Sequence, residues 1–171
     1  VRRALAKYLR QAGSAFSQTY LEDTLGDYAS IARKLVELFR IRFDPARERD
    51  RAEEVGGLAA RIEEEIDAVP SLDRDRILRG FLRPVQATLR TNYFQRDAEG
   101  RAKPYLAFKF DPALVPDLPL PRPRYEIWIY SPRMEGVHLR GGRVARGGLR
   151  GYDRREDFRT EVLGLMKAQM V

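Results

Sequence analysis

The stretch RYEIWIYSPRMEGVHLRGGRVARGGLR, residues 124–150, decides the fold class. Its first part alternates. Tyr125, Ile127 and Ile129 face one way and Glu126, Trp128 and Tyr130 the other, the period-two pattern of a strand. GVHLRGGRVARGG then reads as two short strands about Gly141-Gly142, because glycine supplies the backbone conformations of a tight hairpin turn. Just upstream, NYFQRDAEGRAKPYLAFKFDP (92–112) sets aromatic-rich runs on either side of Asp97-Ala98-Glu99-Gly100, a second turn signal. The connector ALVPDLPLPRPR, with Pro116, Pro119, Pro121 and Pro123, reads as extended. Downstream, REDFRTEVLGLMKAQMV (155–171) returns to helical spacing. Phe158, Val162, Leu165, Met166 and Gln169 share one face there, and Asp153, Glu156 and Asp157 suit the positive end of the helix dipole.

Residues 1–92 carry a different texture. RALAKYLRQAG repeats apolar residues at Leu5, Tyr8, Leu9 and Ala12, and Gly13 closes the turn. Phe16, Tyr20, Leu21 and Leu25 predict a second helix, and Ile31, Leu35, Leu38 and Phe39 a third that Asp44-Pro45 ends. Val55, Leu58, Ile62 and Ile66 form a narrow stripe between charged faces, weakened by Gly56-Gly57. After Pro70, Ser71 and Asp73 start a helix through Ile77, Leu78, Phe81, Leu82, Val85 and Leu89, with Pro84 predicting a kink or boundary. The expectation is an α+β chain: a helical segment over 1–92, then three or four strands and a helix of an incomplete domain over 93–171.

Composition narrows the chemistry. The 171 residues are 43% hydrophobic and 33% charged, ordinary for a globular chain, with a net charge of +7. That charge is mostly arginine, which forks onto carboxylates and phosphates better than lysine does; lysine occurs only at 7, 34, 103, 109 and 167. With no cysteine, disulfides, thiolate metal sites and a cysteine nucleophile are excluded. The lone histidine, His138, argues against a His-His metal cluster or a Ser-His pair and reads as a half-buried structural residue in a strand. Glu63-Glu64-Glu65 reads as a solvated helix face. No apolar run approaches the roughly 20 residues that span a bilayer. No secretory signal opens the chain, no methionine begins it, and it stops on apolar GLMKAQMV, so both ends look cut.

The remaining candidate is RVARGGLRGYDRRED, residues 143–157. Gly147-Gly148 lie between Arg146 and Arg150. Glycines let a ligand approach the backbone amides, and two guanidiniums can fork onto a small dicarboxylate or a phosphate. The other reading is a plain loop between strand and helix with solvated arginines, and local physics leaves that the commoner outcome. Gly141-Gly142 with Gly147-Gly148 is not a dinucleotide fingerprint, because the G-x-G-x-x-G spacing is missing, and no βαβ unit is visible.

Order and motif together carry a resemblance. YEIWIYSPRMEGVHLRGGRVARGGLR followed by DRREDFRTEVLGLMKAQMV resembles the start of the catalytic region of the large bacterial NAD-specific glutamate dehydrogenases. AKYLRQAGSAFSQTYLEDTL and RILRGFLRPVQATLRTNYFQ resemble the helical segment that precedes it there. The resemblance implies oxidative deamination of L-glutamate to 2-oxoglutarate and ammonium with NAD, by a cytoplasmic homo-oligomeric parent with no nucleic-acid or membrane partner. Residues 93–171 would begin its substrate domain. In glutamate dehydrogenases generally, the lysine of a K-G-G-[LI]-R motif contacts the distal carboxylate of glutamate. Here Arg146 stands for the lysine, followed by Gly147, Gly148, Leu149 and Arg150. Gln169 matches a Gln or Met three residues before a lysine that binds the α-carboxylate, and that lysine would fall just after Val171. The catalytic lysine and aspartate and the NAD-binding domain find no match here, so the chain alone is expected to be inactive. Gly151-Tyr152 departs from the aromatic and serine usual after the motif. Two other classes stay open: an arginine-rich RNA-binding module, stacking bases on the aromatic strands, and an oligomerisation or regulatory segment.

Overall fold

The computed structural model describes residues 1–47, 51–151 and 158–170. Among them five helices precede the sheet: α1 Arg2–Gln11, α2 Gln18–Asp27, α3 Ala29–Phe43, α4 Ala52–Asp67 and α5 Leu72–Ala87. Their ends follow local chemistry. Gly13 takes φ 99° after α1. The side chains of Ser17 and Ser71 cap α2 and α5 by accepting the amides of Tyr20 and Arg74. Arginines close the other ends. Arg51 donates to the carbonyls of Ile41 and Asp44 at the end of α3, and Arg42 to those of Val85, Gln86 and Thr88 at the end of α5. A guanidinium there satisfies carbonyls that no amide reaches and complements the negative end of the dipole.

Five strands follow: β1 Thr88–Thr91, β2 Leu106–Phe110, β3 Tyr125–Tyr130, β4 Met134–Gly141 and β5 Val144–Gly151. They form one antiparallel meander in the order β1-β2-β3-β4-β5. A last helix, α6 Phe158–Lys167, lies on β4 and β5. The chain is thus α+β, with five strands where the pattern suggested three or four. The added strand is β1. Leu89, expected at the end of the α5 stripe, stands in β1 and is exposed. The helix runs through Pro84 and ends at Ala87, where the Thr88 hydroxyl donates to the Pro84 carbonyl at 2.6 Å. The Asp97–Gly100 turn is present, held by Gly100 N–H to Asp97 O at 3.0 Å, but on a long loop between β1 and β2. The Gly141-Gly142 hairpin is as expected, with Gly142 at φ 64°. The proline-rich connector is less open than it reads, since Val115 and Leu118 are buried.

One face of the sheet carries the helices. Tyr8 of α1 packs at a tilt against Phe110 and Trp128, with ring centroids 4.6 and 5.9 Å apart, and Phe39 of α3 meets Phe108 at 6.2 Å. Helices and sheet therefore share one core, running from Leu5 and Leu38 through Phe81 to Trp128, Leu139 and Met166. Of the aromatic run an RNA surface would use for stacking, Phe108 and Phe110 are sealed in this core, Tyr93 and Phe94 are half-buried and Tyr105 is exposed. The opposite face bears His138, which is exposed rather than half-buried because it pairs across Ile127 and Gly147 away from the helices.

Candidate functional site

Register places the predicted residues. Arg146, Gly148 and Arg150 of β5 stand opposite Leu139, Val137 and Glu135 of β4, which stand opposite Glu126, Trp128 and Tyr130 of β3. Directly opposed residues of an antiparallel pair share a face. Arg146, Gly148 and Arg150 therefore lie on the helix-covered side, and Gly147 belongs to the other.

The two glycines do not form a turn, contrary to the cradle read from the sequence. They sit within β5 at ordinary extended geometry, and the turn is supplied by Gly142 instead. Close approach explains them. A Cβ on Gly147 would come within 2.8 Å of the Val137 carbonyl oxygen, and one on Gly148 within 3.1 Å of the Phe158 ring. Gly148 thus lets α6 settle on the strand.

The two arginines of the motif differ. Arg150 donates to Glu135 Oε2 at 3.0 and 3.3 Å, and its guanidinium lies 5.9 Å from the centre of the Phe158 ring. Glu135 is 2% exposed and the Arg150 side chain 12%. Arg150 is thus neutralised in place. Arg146 is half-buried, and its recorded side-chain bond goes to the neighbouring Ala145 carbonyl at 2.7 Å. Among the described residues no carboxylate pairs with it.

The helix α6 presents another face than its apolar pattern suggests. Its buried residues are Arg159, Val162, Leu163 and Met166, while Leu165 is 59% exposed. Spacing that counts only apolar residues misses a buried arginine. Arg159 forks onto Glu126 at 2.7 and 2.6 Å, with both side chains wholly buried. Burial lowers the pKa of this guanidinium, and the bonds and charge of Glu126 outweigh that, so it ends raised. Gln169 lies exposed in the turn after α6, its amide bonded to the Met166 carbonyl. Met166 and Met170 reach Gly141, where a Cβ would meet their sulfurs at 3.0 and 3.1 Å. No bond joins Gln169 to Arg146 among the described residues. The expected acidic first turn at Asp153, Glu156 and Asp157, and Tyr152, lie outside them.

An apolar cleft of about 420 Å³, lined by Leu9, Phe16, Leu21, Ile77 and Leu118 among others, opens between α1, α5 and the connector and touches no residue of β5. Among the described residues no three His, Asp or Glu side chains gather as a metal site, and no helix is long and apolar enough to cross a membrane. They contain no parallel βαβ unit, so they do not fit a dinucleotide.

The architecture is an α+β segment in which the helices and the sheet share one core. Residues 61–171 match the family described as "Bacterial NAD-glutamate dehydrogenase, catalytic domain", and residues 1–45 match "Glutamate dehydrogenase, helical motif 3". The chain belongs to the bacterial NAD-glutamate dehydrogenase family. It is 57% identical over 169 residues to the NAD-specific glutamate dehydrogenase of Halomonas elongata, 56% over 175 residues to that of Mycobacterium tuberculosis, and 53% over 173 residues to that of Pseudomonas aeruginosa. Each similarity covers 99% of this chain and 10 to 11% of the relative, so the chain spans about a tenth of the length of these relatives.

Proposed function

We propose that this chain contributes part of the L-glutamate site of an NAD-dependent enzyme that oxidatively deaminates glutamate to 2-oxoglutarate and ammonium. The observation that supports it most is the contrast on one sheet face. Arg150 and Arg159 have carboxylate partners, and Arg146, half-buried on the same face, has none among the described residues. A guanidinium so placed holds an incoming carboxylate through two parallel bonds, strengthened by partial exclusion of water. In this reading Arg146 binds the distal carboxylate of glutamate. Gly148 admits α6, whose end carries Gln169 toward the α-carboxylate. Arg150, held by Glu135, fixes the strand rather than touching substrate.

The relatives are named as NAD-specific, and in this reading NAD would accept the hydride. The described residues contain no parallel βαβ unit to hold it. In a full-length glutamate dehydrogenase carrying this sequence, Arg146→Ala should lower kcat/KM for glutamate by about 10- to 100-fold, the loss of a charged hydrogen bond. Steady-state kinetics with glutamate varied at saturating NAD read this directly. Unchanged kinetics would remove Arg146 from the site.

A further inference from the structure

The helix α1 lies far from Arg146 in sequence, yet its polar side chains reach the start of α6. Gln11, 8% exposed, accepts the backbone amide of Arg159 on its Oε1 at 3.1 Å. That amide belongs to the first turn of α6, where no carbonyl of the helix itself can take it. The guanidinium of the same residue is clamped by Glu126 of β3. Tyr8, wedged between Phe110 and Trp128, sets its buried hydroxyl beside Glu126 without a well-formed hydrogen bond. Burial, and then the Glu126 charge, push its phenol well above the ordinary tyrosine value. Trp128 closes the circuit by donating its indole N–H to the Ala4 carbonyl at 3.1 Å.

The first turn of α6 is therefore fixed from two sides, by Gln11 on α1 and by Glu126 on the sheet. In this enclosed network Arg159 Nη1 and the Tyr8 hydroxyl have no hydrogen-bond partner, and an alternative placement of the first turn would in addition leave the Glu126 charge or the Arg159 amide unpaired. The other end of α6 is about 15 Å on, at 1.5 Å per residue, and carries Gln169. Along the helix, Phe158 and Met166 rest on Gly148 and Gly141, where an added Cβ would crowd their side chains at 3.1 and 3.0 Å. Shifting the first turn must move the helix against β5, where Arg146 lies.

We infer that Gln11 of α1 and the Glu126–Arg159 pair are positioning residues for the glutamate site, coupling the N-terminal helices to the substrate-binding groups through α6. This rests on the glutamate reading of Arg146. It gives α1 a role in substrate affinity that a merely scaffolding helix would not have.

The test uses a full-length dehydrogenase carrying this sequence. Gln11→Met keeps the side-chain length and removes the acceptor, and Gln11→Glu keeps an acceptor oxygen. The expected result is a KM for glutamate raised about three- to tenfold by Gln11→Met, the size of an ordinary coupling between sites, with KM for NAD unchanged and Gln11→Glu near the parent value. A lower melting temperature with glutamate KM unchanged overturns the inference, as does an equal rise in both KM values. Should Gln11→Met not fold, amide exchange on the unmodified enzyme decides. Glutamate must slow exchange in residues 2–11 as well as in 158–170, because coupling is reciprocal, and protection confined to 158–170 overturns it. If Arg146→Ala leaves glutamate kinetics unchanged, the glutamate reading itself fails. If only the Gln11 result is negative, this inference alone falls.

Discussion

Two places on one sheet face use arginine in opposite ways. Under α1, Arg159 is wholly buried, forked onto Glu126, with Gln11 on its amide and Tyr8 nearby. On the edge strand β5, Arg146 is half-buried and bonded only to a neighbouring carbonyl among the described residues. Desolvation separates the two. A guanidinium taken fully out of water needs a permanent counter-charge, and one at the margin can wait for a ligand to bring it. Arg150 lies between these extremes, with a nearly buried Glu135 as partner and the Phe158 ring close by.

The largest expected effect tests that contrast. Arg159→Leu strands the Glu126 carboxylate in the core and should destabilise the chain by about 3–5 kcal/mol, read by urea unfolding. Arg146→Leu should stay within about 0.5 kcal/mol of the parent, since it breaks no buried network. Equal losses would erase the distinction between a structural and a ligand-facing arginine.

The glycine pairs supply a second contrast, of smaller size. Gly147→Ala drives a methyl into the Val137 carbonyl and should cost about 1–3 kcal/mol. Gly57→Ala in α4, with open space around the added carbon, should stabilise by up to about 1 kcal/mol through helix propensity. Thermal melts of the two variants should move in opposite directions. A shift of both in the same direction would show that β5 relaxes freely.

The smallest effect concerns alkaline pH. The Tyr8 phenol is raised in the folded state, so its contribution to stability is complete below the unfolded tyrosine pKa of about 10 and fades as pH rises above it. Tyr8→Phe should flatten that part of the stability curve relative to the parent. Unchanged slopes between pH 9 and 11 would mean that Tyr8 ionises as readily folded as unfolded.

Much of the fold was legible because it is local. Ser17 and Ser71 cap, Gly13 and Gly142 turn, and β3 alternates, each for reasons contained in a few neighbouring residues. The reading failed where distant partners decide. Leu89 follows a helical stripe, yet the strand begins before it. Leu165 looks apolar enough for the core, but the charged Arg159 takes the buried position because Glu126, 33 residues away, neutralises it. His138 looks half-buried, but the alternation of β4 does not say which face the helices cover.

The candidate site divides in the same way. The order of the motifs and the RGGLR stretch carried the family, and the matched relatives bear that out. The cradle around Gly147-Gly148 was wrong in form, because a glycine pair states only that the backbone needs room and not what occupies it. Here the room is taken by the Val137 carbonyl and the Phe158 ring.

The sequence by itself determined the α+β class, helices before strands, the caps and hairpin, and the family, since these rest on spacing and neighbouring chemistry. Only the tertiary structure decided which arginine is paired. Arg146, Arg150 and Arg159 are the same residue type within a short stretch, and nothing in that stretch tells them apart. The carboxylates that do, Glu126 and Glu135, come from other strands, and burial makes their pairing obligatory.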